Sequence, residues 1–328
     1  MTLNRRTLIK TGLAAGAVGA LSSPSLAASG FPNRPIRIIC TLSAGGLSDT
    51  LARAYAQGMS EKLGQPVVVE NKPGSGSILG CREVAESDAD GHTLLYTIST
   101  ALVQNQKTFA DLPYNPERDF DFLGLVMAGK IPLAVLPDMP VQNLAEFVAY
   151  AKSNPINFGT YAHGAYPHMV CHALNKAYGL DMEIVAYKGE TPLWQDMAAQ
   201  VLEAGMGSYG ACRQQVEAGT AKIIAMVGKE RLSAAPDVPT FIEQGFDLPL
   251  FGLDPWHGIL APKGLPADIF AALEEAIIEA GKGEVVGRIN SAYAIDQGAM
   301  GQQEFLTAYE ESKSVLFPLI DEMGLAKA

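Results

Sequence analysis

The residues best suited to chemistry stand at spacings that support little of it. The five histidines are His92, His163, His168, His172 and His257. His168 and His172 lie four apart around Cys171, so on a helix they share a face and could hold a metal. No acidic or further histidine partner is evident beside them, and no metal is expected. Ser208 lies in "GMGSYG", with Met206 where a nucleophile elbow needs glycine. "SAGGLSD" lacks the GxGxxG spacing of a dinucleotide loop. "GSGSILG" has glycines at 74, 76 and 80, one residue too long, and no loop carries the Lys-Ser/Thr of a phosphate-gripping turn. No catalytic group and no cofactor are expected.

What the chain does contain is three loops of glycines and hydroxyls: "SAGGLSD" (Ser43–Asp49), "PGSGS" (Pro73–Ser77) and "GTYAHGAYPH" (Gly159–His168). Backbone N–H groups at a helix N-terminus lack intrahelical acceptors and suit an anion. Glycine lets a ligand approach the main chain, and serine adds a neutral donor. Any one of these loops is compatible with an ordinary turn. Together they suggest a binding cleft.

The elements needed to position them are legible. "PIRIICTL" puts Ile36, Ile38, Cys40 and Leu42 on one face and Ile39 on the other, the pattern of a buried parallel strand. Leu47, Leu51, Tyr55, Met59 and Leu63 then recur every four residues as one helical stripe. "PVVVE", a short helix from "ILGCREVAES" and the strand "HTLLYT" complete a βαβαβ order, which implies a parallel sheet flanked by helices. A second set begins with the strand "IPLAVL" and the helix "PVQNLAEFVAYAKSNP", whose start pairs Asn143 with Glu146. The strand "INFGT", the helix "MVCHALNKAYG", the strand "EIVAY", the helix "TPLWQDMAAQVLEAG" and the strand "AKIIAMV" follow. "PWHGILAP" reads as a strand returning to the first unit, and the remainder reads mainly as helix. In this α/β plan all three loops sit at carboxyl ends of strands, where ligands bind such sheets. The first two loops belong to one unit and the third to the other.

The first 27 residues stand apart. Arg5 and Arg6, a short apolar run and the small residues Ser25 and Ala27 read as a twin-arginine export signal cleaved near Ala27. The run is too short to span a bilayer. Removing Arg5, Arg6 and Lys10 changes the formal charge from −11 to −14, which argues against nucleic acid and anionic membranes as partners. An anionic ligand must then be held by local groups. Cys40, Cys81, Cys171 and Cys212 are widely spaced without a CxxC, which suits buried thiols better than obligatory disulfides.

At these residues the chain resembles the periplasmic solute receptors of tripartite tricarboxylate transporters, the Bug receptors. "SAGGLSDTLAR" is similar to that family's first turn and helix, and "LGQPVVVENKPGSGSILG" to its most distinctive stretch. "ADGHTLLY", "LPYNPERDF", "AYKGETPLWQDM" and "RLSAAPDVPTFIEQG" follow in the family's order. The resemblance implies a two-lobe periplasmic-binding-protein fold, each lobe a mostly parallel sheet flanked by helices. It places lobe 1 at 28–129 and 253–328 and lobe 2 at 130–252. It also implies a monomeric periplasmic receptor that closes over a small carboxylate, a di- or tricarboxylate or an aromatic acid. That ligand is passed to one large and one small membrane subunit. Carried over by position, the ligand residues are Ser43, Ala44, Gly45, Gly46, Ser48 and Asp49 in the first loop. Gly76 and Ser77 follow in the second, and Thr97 and Ser99 after the third strand. Thr160, Tyr161, His163, Gly164, Ala165 and His168 form the facing turn, and Ser208 adds a contact.

Some positions depart from the family pattern: Thr41-Leu42-Ser43, Thr160-Tyr161-Ala162 and Ala198–Glu203. They leave open what the far end of the pocket takes. Tyr161, Tyr166 and Trp256 could stack on an aromatic acid or simply pack. Asp49 beside an anion seat suits a helix cap. Lys72, Arg53 and Lys188 read as structural or surface residues. An exported enzyme and a ligand sensor on the same fold are the alternatives.

Overall fold

A computed structural model describes residues 30–324 of the chain. The export signal expected at 1–27 lies outside the described residues.

The first sheet has the strand order β2-β1-β3-β10-β4, built from β1 (Ile36–Cys40), β2 (Val67–Asn71), β3 (Thr93–Ile98), β4 (Phe120–Met127) and β10 (Trp256–Pro262). β1 pairs in parallel with both β2 and β3, whereas β10 runs antiparallel between β3 and β4. Four strands therefore run one way and one the other. The second sheet repeats the plan with order β7-β6-β8-β5-β9: β5 (Pro132–Val135), β6 (Asn157–Thr160), β7 (Glu183–Ala186), β8 (Ala204–Met206) and β9 (Lys222–Met226). There β5 is the reversed strand, antiparallel to β8 and β9.

Helices cover both faces. In the first lobe they are α1 (Leu47–Leu63), α2 (Ile78–Ala85) and the single turns α3 (Ser99–Leu102), α4 (Asn105–Thr108) and α5 (Pro116–Asp119). The second lobe contributes α6 (Leu144–Ala151), α7 (Tyr166–Tyr178), α8 (Glu190–Ala198) and α9 (Tyr209–Glu217). After β10 come α10 (Ala267–Lys282), α11 (Glu284–Tyr293) and α12 (Gln302–Met323). Among the described residues no helix is long and apolar enough to cross a membrane.

The alternation in β1 has the consequence expected of a strand buried on both faces. Ile36, Ile38 and Cys40 join one core with Leu51, Tyr55 and Met59 of α1, while Ile39 joins another with Cys81 and Val84 of α2. The second core continues through Ile131, Leu133, Phe251 and Phe305, so the lobes share apolar packing behind the cleft. All four cysteines are buried free thiols.

The chain leaves the first sheet for the second between β4 and β5, at 128–131, and returns between β9 and β10, at 227–255. The passages are tied together: the Ala128 amide donates to the Pro255 carbonyl (3.0 Å), and Lys130 pairs with Asp254 (2.6 Å). Two elements differ from the sequence reading. Residues 199–205 are not helical: α8 ends at Ala198 and the three-residue β8 follows, buried at the sheet centre. The helix α9, which the sequence reading did not include, comes directly after it.

Candidate ligand-binding cleft

The first loop is braced from within. The Asp49 carboxylate accepts the Gly45 amide (2.9 Å) and the Asn71 side-chain amide (2.8 Å) and pairs with Arg53 (3.0 Å). Asn71 also donates to the Leu42 carbonyl (3.1 Å). Burial pushes the Asp49 pKa up, but the Gly45, Arg53 and Asn71 donors outweigh it and hold the group below its usual range. Asp49 is therefore not the helix cap: Gly46 occupies that position, and Asp49 reaches back one residue further. The brace uses the Gly45 amide and leaves the α1 terminus, Gly46 to Ser48, on the wall of a cavity between the lobes.

Behind Ser48 runs a buried relay. Ser48 Oγ lies 3.2 Å from His257 Nε2, and His257 Nδ1 lies 3.0 Å from the Tyr96 hydroxyl. Tyr96 is fully buried, and burial holds its pKa well above the ordinary value, so it keeps its proton. Its hydroxyl has no other acceptor among the described contacts, so it must donate to Nδ1. The imidazole proton then sits on Nε2 and donates to Ser48 Oγ. That leaves the serine's own hydrogen for the cavity. Burial drives the His257 pKa down to about 3, so the ring stays neutral.

The second lobe supplies the opposite wall. Gly189 (φ +148°) passes so close to the first loop that a Cβ there would lie 3.2 Å from the Ser43 side chain. The Ser43 hydroxyl donates to the Lys188 carbonyl at 2.5 Å, joining the lobes. Next in sequence, Glu190 opens α8 and accepts the Ser208 amide (2.8 Å) and hydroxyl (2.6 Å). Burial raises the Glu190 pKa against the opposing effect of these donors.

The central cavity is about 30 Å³, room for one or two waters. Among the described residues no lysine or arginine lines it. Leu42, Leu47, Ile98, Ala128 and Ile131 form its aliphatic part. A flanking cavity of about 280 Å³ shares Gly46, Leu47 and Glu190 with it. Another of about 220 Å³ shares Leu42 and Tyr161 and reaches the second loop.

Of the residues expected from sequence, Ser43, Gly46, Ser48, Tyr161 and Ser208 line the central cavity. Gly76, Ser77, Tyr161 and His163 line the cavity at the second loop, and Gly45 lines the other flank. The rest stand apart because their polar groups are used internally or lie elsewhere. Thr97 is buried against the Thr41 hydroxyl (2.8 Å), and Thr160 donates to the Ala162 carbonyl (3.1 Å). The Ala165 amide also goes to the Ala162 carbonyl (3.2 Å), and the Gly164 amide goes to His168 Nδ1 (3.1 Å). His168 is thus a neutral brace of its turn, its pKa lowered to about 4 by burial and by His163 and His172. Ala44 is exposed, and neither it nor Ser99 lines these cavities. Among the described residues no group of three or more His, Cys, Asp or Glu side chains is placed to hold a metal.

Of the aromatic candidates only Tyr161 reaches the cleft. The Tyr166 hydroxyl donates to the Leu250 carbonyl (2.5 Å), and Trp256 donates to Ser312 (3.0 Å) and packs edge-on to Phe305. Sequence reasoning missed Glu190 and His257 as site residues. An acid directly after a glycine at a helix start was a signal for Glu190. His257 carried none, because its partner Ser48 lies 209 residues away.

Residues 51–325 match the model of the tripartite tricarboxylate transporter family receptor. The chain belongs to this family. Among its relatives is a UPF0065 protein of Bordetella pertussis strain Tohama I, 29% identical over 307 residues, covering 93% of this chain and 94% of the relative. The periplasmic binding protein BugD superposes with a TM-score of 0.83 at 25% identity, covering 91% of this chain and all of BugD. MatC from Rhodopseudomonas palustris, solved with bound malate, gives 0.76 at 27% identity over 89% of this chain and 98% of MatC. The family receptor fold accounts for the two repeated sheets, with the cavity lying where the two lobes meet.

Proposed function

We propose that this protein is a periplasmic solute-binding receptor that captures a small carboxylate between its lobes. It then delivers the ligand to the large and small membrane subunits of a tripartite transporter. The observation that carries the reading is the neutral donor set of the first lobe on an interlobe cavity. The α1 terminus presents unsatisfied amides at Gly46–Ser48, and the Tyr96–His257 relay frees the Ser48 hydroxyl to donate. Malate bound in the related MatC supports a carboxylate as the ligand. A cavity of about 30 Å³ is too small for such a ligand, so the lobes part to admit it and close again around it.

The enzyme alternative has one observation in its favour, the Ser48–His257 pair. The proton on Nε2 opposes it, because that nitrogen cannot take the serine proton. A thermal-shift screen of the mature chain against di- and tricarboxylates, aromatic acids and amino acids tests the receptor reading. At least one carboxylate should raise the melting temperature by mass action. No shift with any carboxylate overturns the reading, and turnover of a bound ligand in an NMR time course replaces it with the enzyme.

A further inference from the structure

Two helix N-termini with serine hydroxyls meet at the central cavity, and they are not equivalent. The α1 terminus of the first lobe, with Ser48, is open. At the α9 terminus of the second lobe Ser208 is the N-cap, but its amide and hydroxyl are both taken by Glu190. The chain's own carboxylate therefore fills the second anion seat. Glu190 has no ion pair among the described residues, and no lysine or arginine lines the central cavity or the flank it shares. The Trp194 indole N–H lies beside the same carboxylate yet meets no acceptor at hydrogen-bonding geometry. A carboxylate offers about four lone-pair directions, and Ser208 uses two of them.

We propose that Glu190 makes the site selective for carboxylates whose far end carries a nitrogen-borne hydrogen-bond donor, and that it disfavours dicarboxylates. This inference rests on the carboxylate-receptor reading above. A ligand carboxylate on the α1 seat would leave its other end facing Glu190. An ammonium or carboxamide there completes the free lone pairs of Glu190. A second carboxylate there shares a partly desolvated space with Glu190 and no counter-ion, so the two cannot both be ionised without repulsion. The selectivity thus combines an attraction with a built-in rejection.

Calorimetric titration with a matched set, succinate, succinamate, 4-aminobutanoate and butanoate, tests this. The wild-type chain should bind succinamate, 4-aminobutanoate or both at least about tenfold more tightly than succinate. Glu190→Gln should narrow that ratio about tenfold. The wild-type comparison stands on its own if the variant folds poorly, which its melting curve would show. Succinate binding the wild type as tightly as both nitrogen compounds overturns the inference and leaves the receptor reading intact. An unchanged ratio in a folded Glu190→Gln does the same. Failure of every carboxylate in this set and in the broader screen overturns both.

Discussion

The Ser43 hydroxyl of the first lobe donates to the Lys188 carbonyl of the second at 2.5 Å. It is a direct tie across the mouth of the cleft, next to the glycine that allows the lobes to approach. A hydrogen bond of this kind is worth about 1 kcal/mol net. Ser43→Ala should therefore lower the closed population and the affinity for any bound carboxylate about fivefold. Small-angle scattering with and without ligand reads the first effect and calorimetry the second.

Asp49 predicts a stability effect coupled to binding. Asp49→Ala leaves the Gly45 amide without its acceptor, while Asn71 keeps the Leu42 carbonyl and Arg53 keeps Asn71 Oδ1, and should cost about 1–2 kcal/mol in urea unfolding. Asp49→Asn keeps one acceptor and should fall between the two. Because the folded pKa is lowered, the stabilising effect is present above the unfolded carboxylate range and is lost as pH falls through the folded value.

The buried histidines set a second acid window. His257 and His168 have folded pKa values of about 3 and about 4 against an ordinary 6.5. The unfolded chain binds protons first, so stability should fall as pH drops from 6.5 toward 4. His257→Gln should flatten that slope in melting-temperature profiles. Ligand affinity between pH 6.5 and 8 should not change through these groups, since both stay neutral there.

Gly46 separates access from folding. Its φ of −86° suits any residue, and a Cβ there meets only the Ser43 carbonyl, at 3.9 Å. Gly46→Ala should fold and bind weakly. Gly46→Leu should fill the cavity and lower carboxylate affinity more than about a hundredfold. Its melting temperature should stay within about 3 °C of wild type.

Salt tests the neutral donor set. With no lysine or arginine on the central cavity, raising NaCl from about 50 to about 500 mM should change affinity less than about twofold. A steep loss would mean that a cation outside the described wall holds the ligand.

Much of the architecture was legible because it is written in local periodicity. The alternation of Ile36, Ile38 and Cys40 against Ile39 describes a strand covered on both faces, and the four-residue recurrence from Leu47 to Met59 describes a helix lying on it. The run "PWHGILAP" is β10. β8 escaped because three residues carry no period, and its burial comes from the strands on either side.

The site divides in the same way. Glycines and hydroxyls mark the loops, so Ser43, Gly46, Ser48 and Ser208 were legible as cavity residues. Sequence alone could not say which donors remain free. Gly45, Gly164, Thr160 and His168 resemble the others in type, but each finds a partner within five residues once the loop closes. The decisive contacts, Ser48 with His257 and Glu190 with Ser208, join segments that only the folded sheets bring together. Residue type and spacing thus determined an α/β chain with glycine- and hydroxyl-rich loops at the ends of its strands. The tertiary structure decided which groups face the cavity, because a hydrogen-bond donor serves a ligand only when no nearer acceptor has taken it.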